Sequence, residues 1–227
     1  HTCTHGALGA FATGMGSTDV AAIFAYGKTW FKVPESLKIN ITGKLPGYVY
    51  SKDVFLQIVS MITADGATYK SMEFLGNAVD RMTVEERLVL TNMSVEAGAK
   101  LGLCRSDEKT RAYLKKHGRA REYKPLKPDR NANYEDEIEI LADTIEPLVA
   151  VPHRVDNVKA ARELCDVELD QVCIGSCTNG RLSDLRIAAN ILKGKKAKPG
   201  TRLVITGSAG SHGSDQRSRQ TQHSRRK

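Results

Sequence analysis

Two cysteines, Cys173 and Cys177, stand in the stretch VCIGSCTNGR at the end of an apolar run. The run predicts a strand, and the corner after Cys177 leads into a helix. A thiol at such a corner faces backbone N–H groups and the helix dipole, which favour the metal-binding thiolate. From position alone, Cys177 is either a metal ligand or an incidental thiol, and Cys173 is predicted to fill the core. The sequence has no Cys-x-x-Cys pair that would supply further ligands.

Two further groups of polar residues could carry chemistry. Asn92 and Glu96 are four positions apart, so they share one helix face if a helix spans both; they could equally be ordinary surface residues of that helix. His1, Cys3 and His5 have the composition of a zinc site. Their glycine-rich surroundings argue against a helix that presents both histidines, and no second ligand cluster follows. We therefore do not predict a zinc site there.

The opening of the chain, HTCTHGALGAFATGMGSTDV, is a glycine-rich loop that leads into a helix. Ser17 or Thr18 is predicted to cap this helix, with Asp19 in its first turn. Gly14 and Gly16 resemble the start of a dinucleotide-binding fingerprint. Because Asp19 occupies the place of the third glycine, the sequence does not predict a nucleotide loop.

Strands and helices alternate over the following hundred or so residues. SLKINIT (36–42) has the period of a half-buried strand, and 51–63 predicts an amphipathic helix capped by Ser51. A second strand is predicted within 69–76. Thr83 and Glu86 form a capping box that starts the next helix, and 107–118 predicts a short helix closed by Gly118.

The remaining elements predict a parallel sheet. Residues 119–135 read as a loop and 136–152 as sheet. From residue 167 the chain predicts a strand (VELDQVCIG), a helix (RLSDLRIAANILKG) and a strand (TRLVIT). This β-α-β order is typical of α/β proteins, whose ligands bind at the carboxyl ends of the strands.

Composition excludes several classes of protein. The 227 residues, 41% of them apolar, can fold into one large or two small globular domains. Neither a membrane span nor an export signal is evident, so a cytoplasmic protein with five reduced cysteines is predicted. The net charge of +8 comes from two segments, with surpluses of six positive charges in 105–130 and four in 207–227, and the rest of the chain carries −2. We interpret the first as a solvated helix and loop, so nucleic-acid binding is not predicted.

Three separated stretches, HTCTHGALGAFATGMGSTDVA, TNMSVEAGA and IGSCTNGRLSDL, resemble the large subunits of 3-isopropylmalate dehydratases in the aconitase superfamily. The archaeal-type isopropylmalate dehydratases and homoaconitases are the most similar, and the resemblance covers about residues 1–206. It implies three-layer α/β/α units with parallel sheets, truncated at both ends. Residues 1–34 would end a first unit, 35–152 form a second, and 153–206 begin a third. A basic, disordered tail unrelated to the family would occupy 207–227.

The resemblance also implies a site for dehydration and rehydration of a small hydroxy-diacid. Cys177 matches one of three thiolates that hold a [4Fe–4S] cluster with one open iron. Asn92 and Asn179 match residues beside the cluster. His1 matches a histidine that contacts the substrate hydroxyl, and Glu96 a glutamate that handles the proton of the leaving oxygen. The base that removes the carbon-bound proton is a serine on a swivelling domain, which a separate small subunit would carry.

The chain also departs from the family pattern. The Asp-Ser that precedes the family histidine and the other two cluster cysteines are missing, so the chain alone is expected neither to retain a cluster nor to turn over substrate. The expected reaction of the intact enzyme interconverts 2- and 3-isopropylmalate in leucine synthesis, with homoaconitase or another hydroxy-acid dehydratase as the alternative. A non-catalytic, basic RNA-binding protein and an unstable remnant are the alternatives from other classes.

Overall fold

A computed structural model of the chain describes residues 2–207. The described chain forms two compact units, the first ending at Cys165 and the second beginning at Asp166. His1 and residues 208–227, which include nearly all of the predicted basic tail, lie outside the described residues. No helix in the described part is long and apolar enough to cross a membrane.

The first unit contains a four-stranded parallel sheet in the order β3-β2-β1-β4. These strands span Ser36–Thr42 (β1), Ser71–Leu75 (β2), Leu101–Cys104 (β3) and Asp136–Leu141 (β4). An antiparallel hairpin of Leu148–Ala150 (β5) and Val158–Ala160 (β6) follows. The parallel sheet confirms the predicted α/β class.

The helices of the first unit are Ser17–Tyr26 (α1), Ser51–Ile62 (α2), Asn77–Arg81 (α3), Val84–Met93 (α4) and Glu108–Lys116 (α5). Short 3₁₀ turns, among them Thr4–Leu8 and Ser94–Ala97, join some of these elements. The apolar alternation of β1 predicts its burial pattern, in which every second residue is buried. The core lies between the sheet and helices α2 and α4, and its fully buried side chains include Ile39, Ile41, Phe55, Ile58, Phe74 and Leu90.

Two predicted helix caps are wrong. Helix α2 includes Ser51, whose hydroxyl is buried and has no hydrogen-bond partner among the described residues. The Asp53 carboxylate instead accepts a hydrogen bond of 2.8 Å from the Tyr50 backbone N–H. Helix α1 likewise contains both Ser17 and Thr18, and the residue before it is Gly16, which has no side chain to cap the helix.

The basic segment 105–130 is mostly solvated, as predicted. Thr110 is the one buried residue of α5, and its basic side chains lie at the surface. Arg119 pairs with Glu122, and Lys109 donates to three backbone carbonyls at the end of α3 and just beyond it. This part of the positive charge therefore serves local helix ends and ion pairs.

The second unit is the predicted β-α-β. Strand Gln171–Gly175 (β7) pairs in parallel with Arg202–Thr206 (β8), and helix Leu182–Leu192 (α7) connects them after the short helix Ser176–Asn179 (α6). The prediction that Cys173 fills a core is wrong, because its side chain is exposed. Helix α7 packs on β7, where Val172 and Ile174 are half-buried, and Cys173 points to the other face of the two-stranded sheet.

The limits of the structural units differ from the limits suggested by the sequence. The predicted boundary after residue 152 falls inside the β5–β6 hairpin, and the first compact unit continues to Cys165. The assignment of residues 1–34, 35–152 and 153–206 to successive units of the family fold stays a prediction.

Candidate functional site

Helix α4 positions the first candidate residues. Its predicted capping box is confirmed: Thr83 N–H donates to the Glu86 carboxylate at 2.7 Å, and Glu86 N–H donates to Thr83 Oγ1 at 3.2 Å. These two bonds satisfy backbone donors at the helix start, which fixes where α4 begins. The helix then runs to Met93, so Asn92 lies in its last turn.

Asn92 is 3% exposed and therefore is not an ordinary surface residue. Its Nδ2 donates to Thr4 Oγ1 at 2.7 Å, and the neighbouring Thr91 hydroxyl donates to the Thr4 carbonyl at 2.8 Å. The end of α4 thus holds the Thr4–Leu8 turn of the glycine-rich opening loop. A buried amide with a fixed partner has a defined orientation, as a binding group needs.

Gly6 allows this loop to approach the sheet. A Cβ at position 6 would lie 1.7 Å from the Gly102 carbonyl oxygen of β3, well inside van der Waals contact. Any side chain there would push the turn away from the sheet, and the Thr4–Asn92 hydrogen bond would be lost with it. The glycine-rich composition therefore serves close packing.

Glu96 lies in a different environment. Helix α4 ends at Met93, and Glu96 belongs to the 3₁₀ turn Ser94–Ala97, so the predicted continuous helix does not span both candidates. Glu96 is exposed and makes no hydrogen bond or ion pair with the part of the chain that the structure describes. Asn92 and Glu96 are thus a buried and an exposed residue on adjacent turns.

The residues around His1 do not form a common cluster in the described structure. Cys3 is fully buried, and its thiol donates a hydrogen bond of 3.5 Å to the Lys100 carbonyl. Burial raises the pKa of the Cys3 thiol, which keeps it protonated. His5 is exposed, and the predicted catalytic residue His1 lies outside the described residues.

Cys177 stands at the carboxyl end of β7, in the short helix α6, and is exposed. The turn before it is tight: Gly175 has φ +139°, and a Cβ there would lie 1.9 Å from the Thr206 carbonyl oxygen of β8. Ser176 N–H donates to Thr206 Oγ1 at 3.2 Å. Both contacts fix the position of the Ser-Cys-Thr-Asn corner over the sheet edge.

Arg181 and Asp184 hold the same corner from the side of α7. The Arg181 guanidinium donates to the carbonyls of Thr178 at 2.7 Å and Cys177 at 3.2 Å. The Asp184 carboxylate accepts from Asn179 Nδ2 at 3.0 Å and from Arg181 N–H at 2.9 Å. Asn179 Oδ1 is buried and has no hydrogen-bond donor among the described residues.

The described residues do not complete an iron–sulfur site. A cluster of the expected type needs three cysteine thiolates, and the described residues contain no group of three His, Cys, Asp or Glu side chains able to hold a metal ion. Cys177 could supply one thiolate, from an exposed position at a strand end. We therefore assign no reaction step to a cluster on these residues.

Sequence reasoning did not identify Arg87. This fully buried residue donates to Asp107 Oδ2 at 2.6 Å and to the Val79 carbonyl at 3.2 Å. It thereby joins α4, which carries Asn92, to the residue that caps α5. Arg87 directly follows Glu85 and Glu86, so its neighbours in the sequence do not distinguish it from a surface arginine.

The chain is similar to proteins of one known family. A model of the aconitase family (aconitate hydratase) matches residues 1–166 and 156–222, beyond the end at 206 suggested by the resemblance. The 3-isopropylmalate dehydratase large subunit 1 of Thermotoga maritima is 55% identical over 207 residues, which are 90% of this chain and 50% of that protein. The large subunit of Elusimicrobium minutum is 55% identical over 206 residues, covering 91% and 49% of the two chains.

An archaeal relative shows the same pattern. The 3-isopropylmalate dehydratase large subunit 2 of Archaeoglobus fulgidus is 52% identical over 205 residues, which are 90% of this chain and 49% of that protein. The chain thus spans about half the length of the curated relatives it matches.

Proposed function

Because this chain belongs to the aconitase family, we propose that it forms part of the large subunit of a hydro-lyase of the 3-isopropylmalate dehydratase type. This proposal depends on one observation: over about 90% of its length, the chain is 50–55% identical in sequence to 3-isopropylmalate dehydratase large subunits. The reaction is the interconversion of 2- and 3-isopropylmalate in leucine synthesis. A small subunit is the expected partner, since the relatives are named as large subunits.

The reaction sets requirements that the candidate residues can meet. Removing water from a hydroxy-diacid means breaking a C–H and a C–O bond, so the leaving oxygen needs a proton donor. Glu96 is exposed and has no partner among the described residues, which suits a proton-transferring carboxyl. Asn92 is buried and held by Thr4, and it would lie beside the cluster.

Aconitase-family proteins bind a [4Fe–4S] cluster, and we propose Cys177 as one of its three cysteine ligands. Its support is the exposed thiol at the end of β7, in a corner fixed by Thr206, Arg181 and Asp184. Asn179 would lie beside the cluster, in the orientation set by its hydrogen bond to Asp184. His1 would contact the substrate hydroxyl.

The test uses a chimaeric large subunit, in which the matched residues of this chain replace the corresponding residues of the T. maritima large subunit 1. Combined with the T. maritima small subunit, it is expected to dehydrate isopropylmalate. Cys177→Ser should lower the iron content, whereas Glu96→Gln should keep the iron and lose most of the activity. A folded, iron-loaded chimaera that acts on homocitrate or homoaconitate but not on isopropylmalate would support the homoaconitase alternative instead.

A further inference from the structure

Helix α1 and the segment after it expose a large apolar surface. None of the ten residues of α1 is buried, and Phe24 is 86% exposed. The exposed surface continues through Tyr26, Trp30 and Val33, all more than three-quarters exposed. We call these residues, with Ile23, the α1 surface. Several exposed large apolar side chains within one segment of a folded unit indicate an interface.

The sequence of α1 shows what kind of interface this is. Residues 20–26 (VAAIFAY) are apolar without interruption, and successive residues of a helix are about 100° apart, so apolar side chains surround the helix. A helix that lies on a lipid surface carries lysine or arginine on a polar face. Asp19 is the one charged residue of α1. Its composition therefore fits burial within protein on more than one side.

The ends of this exposed region are anchored on the first unit. Before α1, the Thr13 hydroxyl donates to the Lys100 carbonyl at 2.7 Å. After α1, the Lys100 ammonium group lies 5.5 Å from the ring centre of Phe31 and 5.4 Å from that of Tyr69. The α1 surface is thus held between two fixed points, which lowers the entropy cost of docking a partner on it.

We propose that the α1 surface is covered by the part of the large subunit that lies outside the stretch matched here. That part makes up about half of each relative, so it is long enough to form a complete layer of structure. The family match includes α1 itself, so the relatives carry this helix together with the additional polypeptide. The occupant is an apolar face of a sheet or of further helices. This inference does not depend on the proposed reaction.

Hydroxyl-radical footprinting of the full chain and of the chimaeric large subunit tests the proposal. The peptides that contain Phe24, Tyr26 and Trp30 should be oxidised readily in the chain alone and severalfold more slowly in the chimaera. Phe24→Asp provides a second readout. It should leave the melting temperature of the chain alone unchanged, because Phe24 is exposed there, and lower that of the chimaera, where the new carboxylate would be buried.

Several results would overturn the proposal. Equal oxidation of these peptides in the chain and the chimaera would show that the added polypeptide does not cover α1. Protection in the chain alone that grows with concentration would assign the surface to a second copy. Binding of the chain to phospholipid vesicles that Phe24→Asp abolishes would assign it to a membrane. If the chimaera shows no cooperative melting, hydrogen exchange is measured instead on the helix of the T. maritima subunit that matches α1. Fast exchange of that helix with solvent would contradict the proposal. None of these readouts depends on catalytic activity.

Discussion

At the scale of single residues, the described site consists of polar groups whose surroundings differ sharply. Asn92 and Arg87 are buried on α4 and hydrogen-bonded, whereas Glu96 and Cys177 are exposed. Buried polar groups must be paired to be tolerated, so the first two contribute to stability as well as to positioning. Exposed groups contribute little to stability.

The first prediction concerns the Arg87–Asp107 ion pair. Burial raises the pKa of the Asp107 carboxyl, but its hydrogen bonds with Arg87 and with the backbone of Thr110 and Lys109 outweigh this effect and hold the pKa below its usual range. Asp107→Asn keeps a side chain able to cap α5 and leaves the buried Arg87 without its counter-charge. We expect a loss of roughly 1–3 kcal/mol in the free energy of unfolding near neutral pH, measured by urea denaturation.

The loss of stability caused by Asp107→Asn should depend on pH. A carboxyl with a lowered folded-state pKa stabilises the fold above the ordinary carboxyl range, and the contribution is lost as the pH falls through the folded-state pKa. The difference between wild type and Asp107→Asn should therefore shrink in acid. Glu108→Gln, one position away and largely exposed, is the control and should change little at any pH. A difference that grows in acid would contradict the ion-pair explanation.

The second prediction compares how substitutions of Asn92 and Glu96 change the stability of the fold. Asn92→Ala removes the hydrogen bond to Thr4 from a buried position, so the free energy of unfolding should fall by about 1–2 kcal/mol. Amides of the Thr4–Leu8 turn should also exchange faster with solvent. Glu96→Gln should change neither quantity. Equal loss of stability in the two variants would mean that Glu96 has a structural partner.

At the scale of elements, the carboxyl ends of parallel strands present the candidate metal ligand. Strand β7 ends at Gly175, and the chain must turn sharply because the Thr206 carbonyl of β8 lies where a side chain would be. Helix α7 then begins with Asp184 in its first turn, and its carboxylate accepts hydrogen bonds from the preceding corner. Strand end and helix start together hold residues 176–181 in one conformation.

The third prediction tests this corner. Asp184→Ala removes the acceptor of the Arg181 N–H and of the Asn179 side chain, so amides of residues 176–181 should exchange about tenfold faster. Hydrogen exchange with mass spectrometry measures this, and peptides from β1 serve as an internal reference. Asp166→Ala, an exposed aspartate in the same unit, is the control. Unchanged exchange in the corner would show that Gly175 and Thr206 alone fix it.

At the scale of the whole molecule, the two units differ in how much core they contain. The first has a continuous core of fully buried apolar side chains between its sheet and helices α2 and α4. In the described part of the second unit, Gly180 is the one buried residue. Two strands and one long helix bury too little apolar surface to form a core of their own, so the described part of this unit contributes little to the stability of the fold.

The fourth prediction belongs to this scale. Since one thiolate cannot hold a [4Fe–4S] cluster, the full chain should retain far less than one cluster after anaerobic reconstitution with iron and sulfide. Iron and sulfide content per chain and visible absorbance measure this. The chimaeric large subunit, reconstituted in parallel, should bind a full cluster. A stoichiometric cluster on the chain alone would overturn the assignment of Cys177 as one ligand among three.

The sequence alone determined most local structure and the family. Alternating apolar residues predicted β1, the Thr83–Glu86 pair predicted the start of α4, and the order of elements after residue 167 predicted the β-α-β unit. These features depend on residues close together in the chain, whose periodicity and capping are visible in the sequence. Long motifs in a fixed order likewise indicated the aconitase family.

Only the tertiary structure decided which of these residues are buried and what they contact. Asn92 bonds to Thr4, 88 positions earlier, and Arg87 to Asp107, 20 positions later. Among the described residues, helix α7 packs on one face of β7, and Cys173 is exposed on the other face. Burial depends on which distant elements pack together, and the types and spacing of neighbouring residues carry little information about that.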